Sequence, residues 1–167
     1  GSKGRRSIHS LSNESIISDE RIEEILSEVL THMTSGFNTQ ATRMVVFLRE
    51  QHENSHAVVK ATVLFYEDRA PFTLLEAKMP IIKDKFTEWS DHASGMCQLA
   101  VWTLLEAEGL GCNLQHYNPM IDAQVSEQWN VPLEWRSKAQ VVFGKPAGTP
   151  REKTVEPVSG RLFIHGK

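Results

Sequence analysis

Apolar residues between positions 19 and 33 fall at Ile22, Ile25, Leu26, Val29, Leu30 and Met33. That i, i+3, i+4, i+7 recurrence predicts an amphipathic helix. Ser18 stands where an N-cap belongs, and Asp19 and Glu20 put negative charge in the first turn, where the helix dipole favours it. Thr34-Ser35-Gly36 breaks the pattern, and Arg-Met-Val-Val-Phe-Leu at 43–48 predicts a buried strand. The polar stretch at 51–60 is weakly helical, and 62–66 predicts a second strand ending at Glu67-Asp68. Residues 71–79 predict a short helix closed by Pro80. From 84 to 108 the chain is apolar on much of its helical surface through Trp89, Met96, Leu99, Ala100, Val101, Leu104 and Leu105. A helix apolar nearly all round is a central, buried one, and Gly109-Leu110-Gly111 caps it. Residues 112–117 predict a strand. Asn118-Pro119 predicts a helix start, with Asn as cap and Pro at the first helical position. Residues 138–143 form the last predicted strand, and 144–167 read as a Pro/Gly-rich tail. Strands and helices alternate, which predicts a single α+β domain over 1–167 without internal repeats.

Composition narrows the class. A chain of 167 residues buries roughly two-thirds of its unfolded surface and needs no disulfides or structural metal to be stable. The net charge of −3 argues against a nucleic-acid partner, which calls for a basic face. Cys97 and Cys112 form no framework and read as reduced core thiols of an intracellular protein, expected in the cytoplasm or nucleus. No apolar run approaches the roughly 18 residues of a membrane span, no signal peptide is expected at Gly1, and the opening Gly-Ser reads as a cloning scar.

Candidate chemistry is sparse. His52-Glu53-Asn54-Ser55-His56 matches H-E-x-x-H, which on a helix would set two imidazoles on one face for zinc with a glutamate as base. Asn54 and Ser55 are weak helix formers, and no later residue has a third-ligand spacing, so a solvated helix start explains it better. The cysteines are 15 apart in apolar surroundings, which favours packing over redox work. His92 and His116 are candidate bases without an identifiable nucleophile, and the four tryptophans read as core. Arg5-Arg6-Ser7 suits a phosphate, because guanidinium forks bind its oxygens in pairs. Ser35-Gly36-Phe37-Asn38-Thr39-Gln40 packs amides and a hydroxyl beside a glycine between helix and strand, where binding loops sit. It reads equally well as an ordinary turn.

Taken in order, Arg5-Arg6-Ser7, Ser35-Gly36-Phe37-Asn38-Thr39-Gln40, Glu106-Ala107-Glu108-Gly109-Leu110-Gly111 and Gly144-Lys145-Pro146 resemble the FMN-dependent nitroreductase family. The runs Trp89-Ser90-Asp91-His92-Ala93-Ser94-Gly95-Met96 and, more strongly, Leu114-Gln115-His116-Tyr117-Asn118-Pro119 resemble its fungal and bacterial "fatty acid repression mutant" type. The resemblance covers nearly the whole chain. It implies an α+β homodimer with a mixed sheet flanked by helices, a long central helix and FMN at the subunit interface. By position it implies that Arg5, Arg6 and Ser7 hold the phosphate and ribityl chain, with His9 near N1 and O2. Ser35, Phe37, Asn38 and Gln40 would reach the flavin of the partner subunit. Gln115, His116 and Tyr117 would lie beside N5 and O4, with Lys153 and Arg151 completing the phosphate site.

The implied activity is ping-pong hydride transfer from NAD(P)H through FMN to a nitroaromatic, quinone or similar small acceptor, in which the flavin carries the chemistry. His116 and Tyr117 are then the candidate catalytic side chains, and no metal is expected. A different class is a flavin-binding regulator or stress-response protein of lipid metabolism with little turnover. More distant is a zinc hydrolase through His52 and His56. The chain departs from its relatives in three places. His9 stands where many carry Arg or Lys, making charge there pH-dependent. Chain expected to cover the flavin between Lys60-Ala61 and Thr62 is short, and the helix expected before Arg5 is nearly absent.

Overall fold

The computed structural model describes residues 4–12, 14–48 and 61–166. Among these, five strands form one sheet built on β5 (Arg136–Pro146), which pairs antiparallel with β1 (Leu11–Ser12), β3 (Thr62–Glu67) and β4 (Gly111–Gln115). β2 (Thr42–Phe47) pairs antiparallel with β3. A parallel bridge joins Ser7 to Cys112.

Two helices cover one face. In α1 (Asp19–His32) the Ser18 hydroxyl accepts the Arg21 N–H at 3.2 Å, and Ile22, Ile25, Leu26 and Val29 are buried. They meet Val101 and Leu105 of α3 (Lys85–Ala107) and the inward side chains Val63, Phe65, Cys112, Val141 and Phe143. On the other face Leu64 and Tyr66 pack against Val125 of α4 (Asp122–Trp129) and against Val131. The helix α2 (Ala70–Lys78) contributes Phe72 to a third cluster with Phe86 and Ala41. The α+β class, the long helix and the helix–strand alternation are thus as expected.

Several boundaries differ, each for a tertiary reason. Leu11–Ser12, expected as polar lead-in, is a strand because β5 offers it an edge at Lys145 and Pro146. By the same pairing Gly144-Lys145-Pro146 belongs to β5 and not to the tail. Asn118 does not cap a helix: its side-chain amide donates to the Ser137 carbonyl, and α4 starts only at Asp122. β4 ends at Gln115, so His116 and Tyr117 lie beyond it. Helix α3 is buried on one side only, with Met96 and Leu99 (53% exposed) bare on the other. The weakly helical 51–60 stretch, the chain expected near Lys60 and the helix expected before Arg5 fall wholly or partly outside the described residues.

A buried carboxylate marks one end of the sheet. Glu67 is 1% exposed, with Lys138 Nζ at 3.1 Å, Arg69 Nη1 at 3.6 Å and Arg136 Nη1 at 3.9 Å. Lys138 also reaches Asp91 of α3 at 2.5 Å, tying the sheet to the helix. Such a charge is tolerated only with its counter-ions in place.

The α1–α3 layer is a close-packed core in which Leu105 is fully buried. Leu105→Ala is expected to lose about 2–5 kcal/mol of unfolding free energy, read as a lower urea midpoint with unchanged slope.

Candidate functional site

The N-terminal segment docks beside β4. The Ile8 N–H donates to the Cys112 carbonyl at 2.9 Å, and the Asn113 side chain donates to the Ile8 carbonyl at 3.0 Å. Gly111 permits this approach: a Cβ there would sit 2.8 Å from Leu11 Cδ2 and 3.1 Å from Ile8 Cβ. The Arg6 N–H donates to Glu106 Oε1 of α3 at 3.1 Å, and the Arg5 guanidinium lies 4.4 Å over the Trp102 ring, a cation–π contact. The Arg6 guanidinium donates to the Arg151 carbonyl, drawing the C-terminal segment alongside.

The result is a cleft of about 380 Å³ lined by Arg5, Arg6, Ser7, His9, Arg151, Glu152, Lys153 and Thr154. Every residue expected at the phosphate end, together with His9, therefore lines one cleft, although some 145 positions separate its two halves. Four Arg or Lys side chains against one carboxylate form a donor set for a multiply charged anion.

The segment 35–40 does not line that cleft. It forms a 3-10 turn at Gly36–Asn38, with left-handed backbone at Phe37 (φ 55°), Asn38 (φ 53°) and Gln40 (φ 49°). Such conformations cost about 1–3 kcal/mol each and persist only where neighbours enforce them. Here the Ser35 hydroxyl accepts the Gln40 N–H at 3.1 Å, and Arg43 donates to the Gln40 carbonyl at 2.7 Å while pairing with Asp68. Phe37, 57% exposed, rests its ring on Phe86 and Trp89. This is a braced loop presenting an aromatic ring and amides.

The third expected group follows β4. Gln115 donates to Asn113 Oδ1 at 2.6 Å, the side chains of His116 and Tyr117 are exposed, and the Tyr117 N–H donates to Gln140 Oε1 at 2.7 Å. Glu106, Trp102 and Gln140 escaped sequence reasoning, because each acts on a partner distant in the chain. Gln140 left one signal, an amide between Ala139 and Val141 in a strand core.

A second cleft of about 460 Å³, lined in part by Tyr66, Asn118, Asp122 and Trp135, holds none of the expected site residues. Burial, then the nearby Asp122 charge, pushes the Tyr66 phenol up to about 12, so it stays neutral. His52 and His56 lie outside the described residues, and among the described ones no group of three or more His, Cys, Asp or Glu could hold a metal. No helix among them is long and apolar enough to cross a membrane.

No family model matches the chain. HBN1 of Saccharomyces cerevisiae, which carries a nitroreductase name, is 33% identical over 172 residues, covering 90% of this chain and 88% of the yeast protein. The chain belongs to the nitroreductase family. The nitroreductase CinD from Lactococcus lactis, solved in complex with 4-nitrophenol, is 30% identical with a TM-score of 0.88, covering 98% of this chain and 97% of CinD. A nitroreductase from Desulfovibrio desulfuricans solved with FMN shares the fold (TM-score 0.72, 18% identity, 99% of this chain and 94% of that one).

In this nitroreductase-family chain both thiols are buried, and burial pushes both above the ordinary thiol range. Because the thiolate is the nucleophile, iodoacetamide is expected to leave Cys97 and Cys112 unmodified at neutral pH until denaturant is added. Alkylation of either in the native protein, read by mass spectrometry, would contradict the packing assignment.

Proposed function

We propose that this protein is an FMN-dependent oxidoreductase that works as a homodimer. The observation that carries the reading is the basic cleft, to which the N-terminal segment brings Arg5, Arg6, Ser7 and His9 and the C-terminal segment Arg151 and Lys153. A phosphate needs several fixed donors at once, and a terminal peptide phosphate or a free ion would leave the rest of the expected constellation without a role. Within this reading Arg5 and Arg6 hold the phosphate while Trp102 and Glu106 hold them in place. Lys153 and Arg151 close the site from the tail, and Ser7 and His9 face the ribityl and pyrimidine side. The backbone of Gln115, His116 and Tyr117 lies along the flavin edge, and the exposed side chains of His116 and Tyr117 are its candidates for contact with the substrate. FMN, when bound, supplies hydride transfer, taken from NAD(P)H and passed in a ping-pong cycle to a nitroaromatic, quinone or related small acceptor.

The bare apolar surface of the single chain supports the dimer. Met96 and Leu99 on α3 and Val155, Val158, Leu162, Phe163 and Ile164 of the tail are exposed, apolar surface of the kind a partner subunit covers. Ser35, Phe37, Asn38 and Gln40, braced outside the cleft, are then the residues that reach the partner's flavin.

Two outcomes test these statements. Replacing both Arg5 and Arg6 with Ala should weaken FMN binding by about 1.5–3 kcal/mol for each charge-assisted bond removed. The wild-type protein is expected to purify with visible flavin absorbance and the double variant without it; a fully yellow double variant would sink the phosphate assignment. Leu99→Glu, exposed in the single chain, should leave the fold intact by circular dichroism while light scattering reports the 18.9 kDa monomer. A wild-type protein monomeric at micromolar concentration would remove the dimer from the reading.

A further inference from the structure

We propose that Gln140 is a positioning residue whose side-chain amide takes the place of a missing ladder carbonyl and fixes the backbone at 115–117. For its effect on the flavin, this rests on the proposed function; for the backbone it rests on the sheet alone.

β4 and β5 pair residue by residue from Gly111 opposite Gly144 to Gln115 opposite Gln140, and the ladder stops there. Just beyond, the β3–β5 register shifts between Phe65 and Tyr66, so Ala139 and Ser137 face consecutive β3 residues and Lys138 bulges. A bulge bends its strand and disrupts the ladder locally, and on the β4 side the pairing with β5 ends at Gln115. The Tyr117 N–H is met instead by Gln140 Oε1 at 2.7 Å. This lets the chain turn away from β5 while its amide stays satisfied, and leaves the His116 and Tyr117 side chains facing out.

Packing does not explain an amide at this position. Gln140 is 2% exposed between two fully buried neighbours, and its Nε2 is buried without a hydrogen-bond partner. An unmet buried donor is unfavourable, and methionine would fill the same space without it. What methionine lacks is the acceptor for Tyr117.

Amide hydrogen exchange by NMR on the flavin-free protein tests the positioning directly. In the wild type the Tyr117 amide is expected to exchange far more slowly than that of His116, although both lie outside β4. Equal rates would overturn the proposal without any variant. In Gln140→Met the Tyr117 amide should exchange about tenfold faster, the scale of one hydrogen bond's net contribution, while amides of residues 111–115 keep their protection. Unchanged Tyr117 exchange in a folded variant would also overturn it.

The flavin arm uses FMN itself. Gln140→Met, with the basic cleft intact, is expected to hold FMN severalfold more weakly and to shift its visible absorption bands and midpoint potential. Wild-type affinity, bands and potential in that variant would overturn the link to the flavin. A wild-type protein that binds no added FMN would instead overturn the proposed function, leaving the exchange result to decide the positioning role.

Discussion

The backbone bond from Ile8 to Cys112 is the constraint on which the site depends. Residues 5–9 have little regular structure of their own, and a short extended segment does not order itself against its conformational entropy. Docking on β4 orders it, and the glycine at 111 makes the docking sterically possible. Everything basic follows from that contact. Once Ser7 and Ile8 lie against Cys112, Arg6 meets Glu106 and Arg5 meets Trp102, both on α3, and Arg6 then draws in the backbone of Arg151. The core helix thus acts as the template on which the two ends are assembled.

Much of the fold was legible because its signals are local. The 3.6-residue period of α1 and its Ser18 cap, and the glycine after α3, predict elements that the structure reproduces within a residue or two. Gly109 adopts φ 90°, and the Leu110 N–H closes back on the Leu105 carbonyl, as a left-handed helix end requires. What was not legible depends on partners far away. Leu11–Ser12 is a strand only because β5 extends to Pro146, and Asn118, whose amide donates to the Ser137 carbonyl, stands four residues before α4 begins at Asp122. Helix α3 reads from the sequence as apolar nearly all round, yet Met96 and Leu99 on it are exposed. One side meets the sheet, and the other is bare in a single chain, a distinction that periodicity alone does not make.

The candidate site was legible in a similarly divided way. Arg5-Arg6 by itself is an ordinary basic pair; its meaning came from the resemblance, and its geometry comes from a tail more than a hundred residues away. The segment 35–40 was balanced between turn and binding loop. The structure shows it as a turn whose left-handed Phe37, Asn38 and Gln40 are braced by Ser35 and Arg43, and its binding role belongs to the proposal. Gln140 and Glu67 share a logic. Each is a buried polar side chain met by groups from another element: a backbone amide at Gln140 Oε1, lysine and arginine at Glu67. Buried polarity of this kind is unfavourable unless partnered.

Net charge proves a poor guide to the ligand. The chain carries −3 overall, which weighs against a polyanion, yet the cleft gathers Arg5, Arg6, Arg151 and Lys153 around a single carboxylate, Glu152. A nucleic acid presents phosphates over a long surface and responds to an extended basic face. A single phosphate responds to the few angstroms around it, where exposed charges farther off are largely screened at physiological salt. Acids elsewhere, such as Glu14 paired with Lys145 and Glu88 with Lys85, lie outside the cleft lining. An acidic protein can therefore hold a small dianion in a local basic cleft while repelling an extended polyanion.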